Sequence, residues 1–365
     1  MNGPRIAILG DGIEAWLFAA LFRQLSRRSG TLLVIPTSHA RGADTIALPP
    51  VVAGAHHLLR IAPATLAVFG QPRYGIRIVG AGGAGALIPY GTYGDPEGPG
   101  NFVDAWIRLR SEARAPALAA LSANRALQSG GQLRADSDPA LLRSISAGWE
   151  IDADRYRALL REVAVSHGVL CSAATAVMDR PAGAPHFTDG NAIEADLLID
   201  ASEGGLAAWT NEAGWHGRIL AIGTAARRLD AAEPFAIAGV LSAAARLAAF
   251  LPRPDAMPLL AREYNRLLAI ELAGMDSASA MLARLAGRDT PSATLDRYEA
   301  RYRFAGLLPA DPQPWTRDIW LSAFDALGWR PGHYDPNIDR FDHDRSTQRF
   351  DAWRAMIDRH LPGRA

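Results

Sequence analysis

Four apolar residues, 6–9, run unbroken into a glycine turn, and the segment EAWLFAALFRQLSRR (14–28) that follows is apolar over a helix-length stretch. A second apolar run, TLLVI (31–35), comes next. A short continuous apolar run, a glycine turn, a helix and another run form the pattern of a βαβ unit in a buried parallel sheet.

The same reading extends along the chain. RGADTIALPPVVAGAHHLLRIAP (41–63) reads as a loop followed by a helix, and RYGIRIV (73–79) as a strand. Gly80, Gly82 and Gly85 satisfy G-x-G-x-x-G after that strand, but Pro89 and Gly91 stand where a phosphate-binding helix should begin. This glycine-rich stretch is therefore a loop beside a site or a plain surface hairpin. Helical periodicity resumes over 101–127 and 151–169, the latter preceded by Asp152, whose carboxylate suits an N-cap. EADLLIDASEGG (194–205) reads as a buried strand ending in a small-residue turn, and RILAIGTAARRL (218–229) as strand, turn and helix start. Residues 236–251 and 258–275 are helical by spacing, and the tail is rich in arginine and aspartate.

Gly10 and Gly12 hold the first two glycine positions of a G-x-G-x-x-G turn, with the small Ala15 at the third. Such a turn lets backbone N–H groups and a helix dipole meet a pyrophosphate. Asp11 and Glu14 fill variable positions, where negative charge opposes a phosphate. The acidic residue that ends the second strand in many dinucleotide folds is missing, because Ile35 and Pro36 stand there.

Charge and composition narrow the partners. With 365 residues, 49% of them hydrophobic, the chain can bury a large core. Thirty-eight basic side chains balance 38 acidic ones without a basic run, so nucleic acid and anionic membrane surfaces are not expected as partners. No apolar segment is long enough to span a bilayer and no signal-peptide pattern precedes RIAILG, which leads to a cytoplasmic expectation. The single cysteine, Cys171, excludes an internal disulfide and reads as buried packing. There is no lysine: all basic side chains are arginine, which stays protonated and forms no Schiff base.

Other clusters carry less. His333, Asp335, Asp339, Asp342 and His343 could ligate a metal but lack a fixed ligand spacing, so they read as a solvated acidic loop and no metal is expected. His56 and His57 point in different directions on a helix. Trp209 and Trp215 read as packing aromatics.

In their order, these segments resemble the flavin-dependent tryptophan halogenase family. ILGDGIEAWL (8–17) resembles its glycine turn with Trp16 retained; RGADTIALPP (41–50) its following loop; WEIDADRYRALLREVAVSHGV (149–169) its Asp-started helix; ADLLIDAS (195–202) its next strand. LAIGTAARRLDAAEPFAIAGVLSAAARLAAFLP (220–252), EYNRLLAIEL (263–272) and WLSAFDALGWRPGHYDPNID (320–339) continue the likeness nearly to the end.

The resemblance implies an α/β, Rossmann-like FAD-binding fold of halogenase or monooxygenase type with additional C-terminal helices. It suggests a FAD-binding domain over 1–235, with an inserted segment at about 80–145, and a helical region over 236–365 packed on it. The implied cofactor is FAD, supplied reduced by a separate flavin reductase and held by Gly10, Gly12, Ala15, Trp16, Gly223 and Thr224. Thr224 stands where many such folds carry an aspartate toward the ribityl chain.

In that family reduced FAD and oxygen turn halide into hypochlorous acid, which an essential lysine and a glutamate direct onto an aromatic ring. The glutamate matches Glu233, which as a bland alternative is a surface or capping carboxylate. The lysine position corresponds to Arg73, which can hydrogen-bond an oxidant or grip a carboxylate, or can simply be a surface arginine. Pro234 and Phe235 replace the halide-holding Ser-Thr, and the Trp-x-Trp-x-Ile-Pro signature is absent, a short span replacing the substrate-proximal insertion. Two readings follow: a flavin-dependent oxidoreductase, either monooxygenase or altered halogenase, acting on an unidentified substrate for which the resemblance implies an aromatic compound; or a catalytically inactive binding or scaffold protein. A flavin carrier without turnover differs from the second only in holding cofactor.

Overall fold

The computed structural model describes residues 3–26, 30–37, 44–80, 85–97, 102–177, 186–202, 213–229, 232–250, 256–288, 290–309, 314–340 and 342–362. The chain forms two compact units that are discontinuous in sequence. The first comprises Met1–Gln71, Trp149–Asp230 and Pro234–Leu272, and the second Pro72–Gly148, Ala231–Glu233 and Ala273–Ala365. These boundaries do not follow the linear division at residue 235, because the chain crosses between the units several times.

In the first unit the strands are β1 (Arg5–Leu9), β2 (Thr31–Ile35), β3 (Thr45–Leu48), β4 (Gly70–Arg73, its last two residues in the second unit), β7 (Gly148–Asp152, its first residue in the second), β8 (Leu170–Cys171), β9 (Ala176–Val177), β10 (His186–Phe187), β11 (Leu197–Asp200), β12 (Trp215–His216) and β13 (Ile219–Ala221). The main sheet has the order β12-β13-β11-β1-β2-β8 and is parallel except for β12. This is the mixed α/β, Rossmann-like architecture expected.

The unbroken apolar run of β1 is explained by burial on both faces. Ile6 and Ile8 join the large core with Trp16, Phe18, Leu197 and Ile199, while Ala7 and Leu9 point to a second cluster with Ile35, Ile193 and Leu198. The helix Ile13–Leu25 packs against the helices Ala153–Ser166 and Phe235–Phe250. That leaves it buried almost all round, which accounts for its near-continuous hydrophobicity. Arg23 is buried there because Nη1 and Nη2 donate to the carbonyls of Gly30 and Gly168. Asp152 caps its helix as expected, accepting from the Arg155 N–H at 2.9 Å.

Several details differ from the sequence reading. Residues 45–48 form β3, paired antiparallel with β7, rather than loop. Cys171 is exposed on the edge strand β8, whose two residues carry too little sheet to cover it.

In the second unit, β5 (Gly75–Val79) and β6 (Gly85–Pro89) pair antiparallel, Gly75 opposite Pro89 and Ile76 opposite Ile88. The glycine-rich stretch is thus a hairpin, although residues 81–84 of its connection lie outside the described residues. The unit's core is aromatic: Trp315, Tyr302 and Trp329 gather around Trp320 and Phe324. Phe102 packs edge-on against Phe350 and Trp353. Asp342 caps the helix His343–His360, while Asp339 accepts from the Tyr334 hydroxyl. Among the described residues no helix is long and apolar enough to cross a membrane.

Candidate functional site

In the first unit, β1, β11 and β13 end in register, Leu9 beside Asp200 and Asp200 beside Ala221. Gly10 and Gly223 therefore leave the same carboxyl edge of the sheet, where open α/β sheets bind ligands. Gly10 has φ +135°, and a Cβ there would come 2.7 Å from the Ala201 carbonyl oxygen, so glycine is required. Asp200 fixes that crossing segment by accepting from the Ser202 N–H and hydroxyl at 3.0 and 2.6 Å. Gly12 is the N-cap of the helix Ile13–Leu25 and, as a glycine, brings no side chain of its own to cap it. First-turn N–H groups there face out from the helix end.

Ala15 and Trp16 are wholly buried beneath this turn, so they support it from within. The Trp16 indole N–H donates to Asp11 Oδ1 at 2.8 Å, and Arg157 lies 3.5 Å from Asp11 Oδ2. Asp11 is thereby turned away into local partners. Glu14 is different. Its Oε2 accepts from the Thr224 backbone N–H at 2.8 Å and its Oε1 from the Thr224 hydroxyl.

The glycine turn fits the pyrophosphate of FAD, with Gly10 holding a tight backbone and Gly12 starting the helix without a side chain in the way. At the Gly223–Thr224 turn, the Glu14 carboxylate takes both Thr224 donors.

The second unit contains the other candidate residues. Glu233 is 4% exposed, which excludes the surface reading. The Tyr90 hydroxyl donates to its two oxygens at 3.1 and 2.8 Å, and Arg73 Nη2 lies 3.4 Å from Oε2. Arg73 is half-buried rather than a freely exposed surface arginine; its Nε donates to the Gly75 carbonyl and Nη2 to the Ala232 carbonyl. Its guanidinium carbon stands 5.7 Å from the centre of the Tyr90 ring. Nη1 is buried without a hydrogen-bond partner among the described residues.

Burial raises the Glu233 carboxyl from 4.5 to about 7, against the smaller opposing effects of Arg73 and of the Tyr90 hydrogen bond. The Tyr90 phenol is pushed well above its ordinary range, by burial first and then by the Glu233 charge, and so remains a donor.

Tyr90 was not evident in the sequence. It follows β6, and its N–H donates to the Tyr74 carbonyl at 3.0 Å, so the hairpin places it beside Arg73. Asn124 ties down the same corner: Nδ2 donates to the carbonyls of Tyr74 and Ser146, and Oδ1 accepts from the Ser146 N–H. The only sequence signal was the Pro-Tyr-Gly punctuation at 89–91, which marks a turn and no chemistry. Of the two tryptophans read as packing aromatics, Trp209 lies outside the described residues, and Trp215 is buried, its indole N–H donating to the Gly217 carbonyl. Phe235, in the place of a halide-holding residue, is buried.

The family model described as tryptophan halogenase matches residues 5–210, more than half of the chain. The chain belongs to the tryptophan halogenase family. Among solved structures it is similar to BrvH, a flavin-dependent halogenase from Brevundimonas sp. BAL3, with TM-score 0.79 and 18% identity, covering 98% of this chain and 96% of that one. It is also similar to Xcc4156, a flavin-dependent halogenase from Xanthomonas campestris, with TM-score 0.81 and 17% identity over 100% and 97% of the two chains. A tryptophan 6-halogenase from Streptomyces toxytricini matches with TM-score 0.76 and 12% identity over 100% and 99%. At these identities the likeness is one of fold. A sequence search among curated proteins finds no match.

Proposed function

We propose that this chain is a flavin-dependent oxidoreductase, a monooxygenase or altered halogenase, in which Glu233 is the acid–base group and Arg73 stands in the place of the family's lysine. The observation that carries this reading is the buried Tyr90–Glu233 pair with the half-buried Arg73 beside it. A carboxyl held at about 7 gives and takes a proton with similar ease at neutral pH, the condition for general acid–base chemistry. Tyr90 holds both oxygens of Glu233 in one orientation. Arg73 balances the charge of the ionised form and keeps its Nη1 without a partner among the described residues, suited to an electron-rich oxygen of a substrate or oxidant.

Reduced FAD, when bound, supplies the activation of oxygen. Gly10 and Gly12 would receive its pyrophosphate and Gly223 and Thr224 its sugar-alcohol chain, over the packing of Ala15 and Trp16. A separate flavin reductase would supply the reduced form, and the substrate would be an aromatic compound. With no lysine anywhere in the chain, the family's covalent lysine route is closed. Glu233 would take the proton that an attacked ring must lose.

The test is oxygen uptake and product formation with reduced FAD, bromide and aromatic acceptors, comparing wild type with Glu233→Gln. Equal turnover in the two would remove Glu233 from the mechanism. The non-catalytic reading has one observation in its favour, the Glu14 carboxylate on Thr224.

A further inference from the structure

The glycine pattern has an acidic residue one position before Ala15, and the fold gives that residue a specific partner. Glu14 lies in the first turn of the helix Ile13–Leu25, at the end of that helix where the dipole is positive. Its carboxylate reaches across the sheet edge to the turn after β13 and accepts from the N–H and hydroxyl of Thr224. Gly223 has φ +54° and no side chain, and a Cβ there would collide with the Glu14 carboxylate. The turn is thus shaped to admit the carboxylate. Its neighbour Asp11 makes no such contact, being held by Trp16 and Arg157.

A carboxylate that accepts two hydrogen bonds at the positive end of a helix does what a bound phosphate or sugar oxygen would do there. From this we propose that Glu14 is an internal competitor for the cofactor: it joins the two glycine turns in the free protein and must leave Thr224 before flavin can engage that turn. This rests on the flavin-binding reading above, and it assigns to Glu14 the control of flavin affinity.

Two consequences are measurable. Flavin affinity carries the cost of displacing a charge-assisted pair of hydrogen bonds, so Glu14→Ala should bind FAD about ten- to a hundred-fold more tightly than wild type. The Thr224 amide should exchange hydrogen slowly in the free wild type and faster in free Glu14→Ala. Simple removal of negative charge near the pyrophosphate is controlled by Asp11→Asn, which neutralises the adjacent acid without touching Thr224.

FAD is titrated onto wild type, Glu14→Ala, Glu14→Gln and Asp11→Asn, following flavin fluorescence, with circular dichroism melts to establish that each is folded. Tightening in Glu14→Ala, a smaller tightening in Glu14→Gln and little change in Asp11→Asn support the proposal. Equal affinity in wild type and Glu14→Ala, or an equal gain in Asp11→Asn, overturns it while leaving flavin binding intact. If no variant binds FAD, the flavin reading fails and the proposal with it. Should Glu14→Ala not fold, Glu14→Gln carries the comparison, and a Thr224 amide as unprotected as its loop neighbours in wild type overturns the proposal without any flavin.

Discussion

Tyr90 and Glu233, 143 residues apart in sequence, are joined by a phenol that donates to both carboxylate oxygens, at 3.1 and 2.8 Å, inside the second compact unit. Tyr90→Phe removes the hydroxyl that holds the pair. The buried carboxylate then loses a donor that favours its charged form, so the Glu233 pKa should rise above about 7. The carboxyl stretching band followed by infrared against pH checks this, and the variant should lose about 1–3 kcal/mol at neutral pH.

Glu233 also sets a pH dependence of folding. Its carboxyl rises from 4.5 to about 7 on folding, so the folded state favours the protonated form. That stability is complete below about 4.5 and is lost as pH rises through about 7, by at most ~3 kcal/mol. Glu233→Gln should be free of this loss. Urea melts of the two proteins at the ends of that range test it, and parallel pH profiles would contradict it.

His56 acts in the opposite sense. It is buried, lies 2.9 Å from the Tyr156 hydroxyl, and is lowered from 6.5 to about 4 by that burial. Its contribution is complete above 6.5 and is lost as pH falls through about 4, by up to ~3 kcal/mol. His56→Gln keeps a polar partner for Tyr156 and should flatten the acid limb of the stability curve.

Gly10→Ala tests the turn itself. A side chain at φ +135°, with the Ala201 carbonyl at 2.7 Å, forces backbone movement, and the expected loss is about 2–4 kcal/mol. A denaturation midpoint equal to wild type would mean that the turn is not packed as described.

The sequence made the parallel sheet legible because β1, β2 and β11 are buried on both faces, leaving unbroken apolar runs between glycine turns. Gly10, Gly12 and Gly223 were readable for the same reason: a turn at a sheet edge has strict local requirements. Arg73 reads as a surface residue in QPRYGIRI because the partners that hold it, Glu233 and Ala232, are far away in sequence. Tyr90 was hidden in a stretch whose glycine and proline content signals only loop, although the chain uses it as a hairpin. Cys171 reads as buried because burial is common for cysteine in general, while a two-residue edge strand leaves it open. Glu14 sits at a position where many residues are tolerated, and only the return of the chain at Thr224 gives it a partner.

The central claim is that this halogenase-family chain uses flavin at the turns around Gly10 and Gly223. Equilibrium titration of the purified wild-type chain with FAD tests it most directly, followed by flavin fluorescence and run beside Glu14→Ala. Saturable binding of one equivalent, weaker in wild type than in Glu14→Ala, is the predicted result. Absence of saturable binding in both folded proteins would contradict the account.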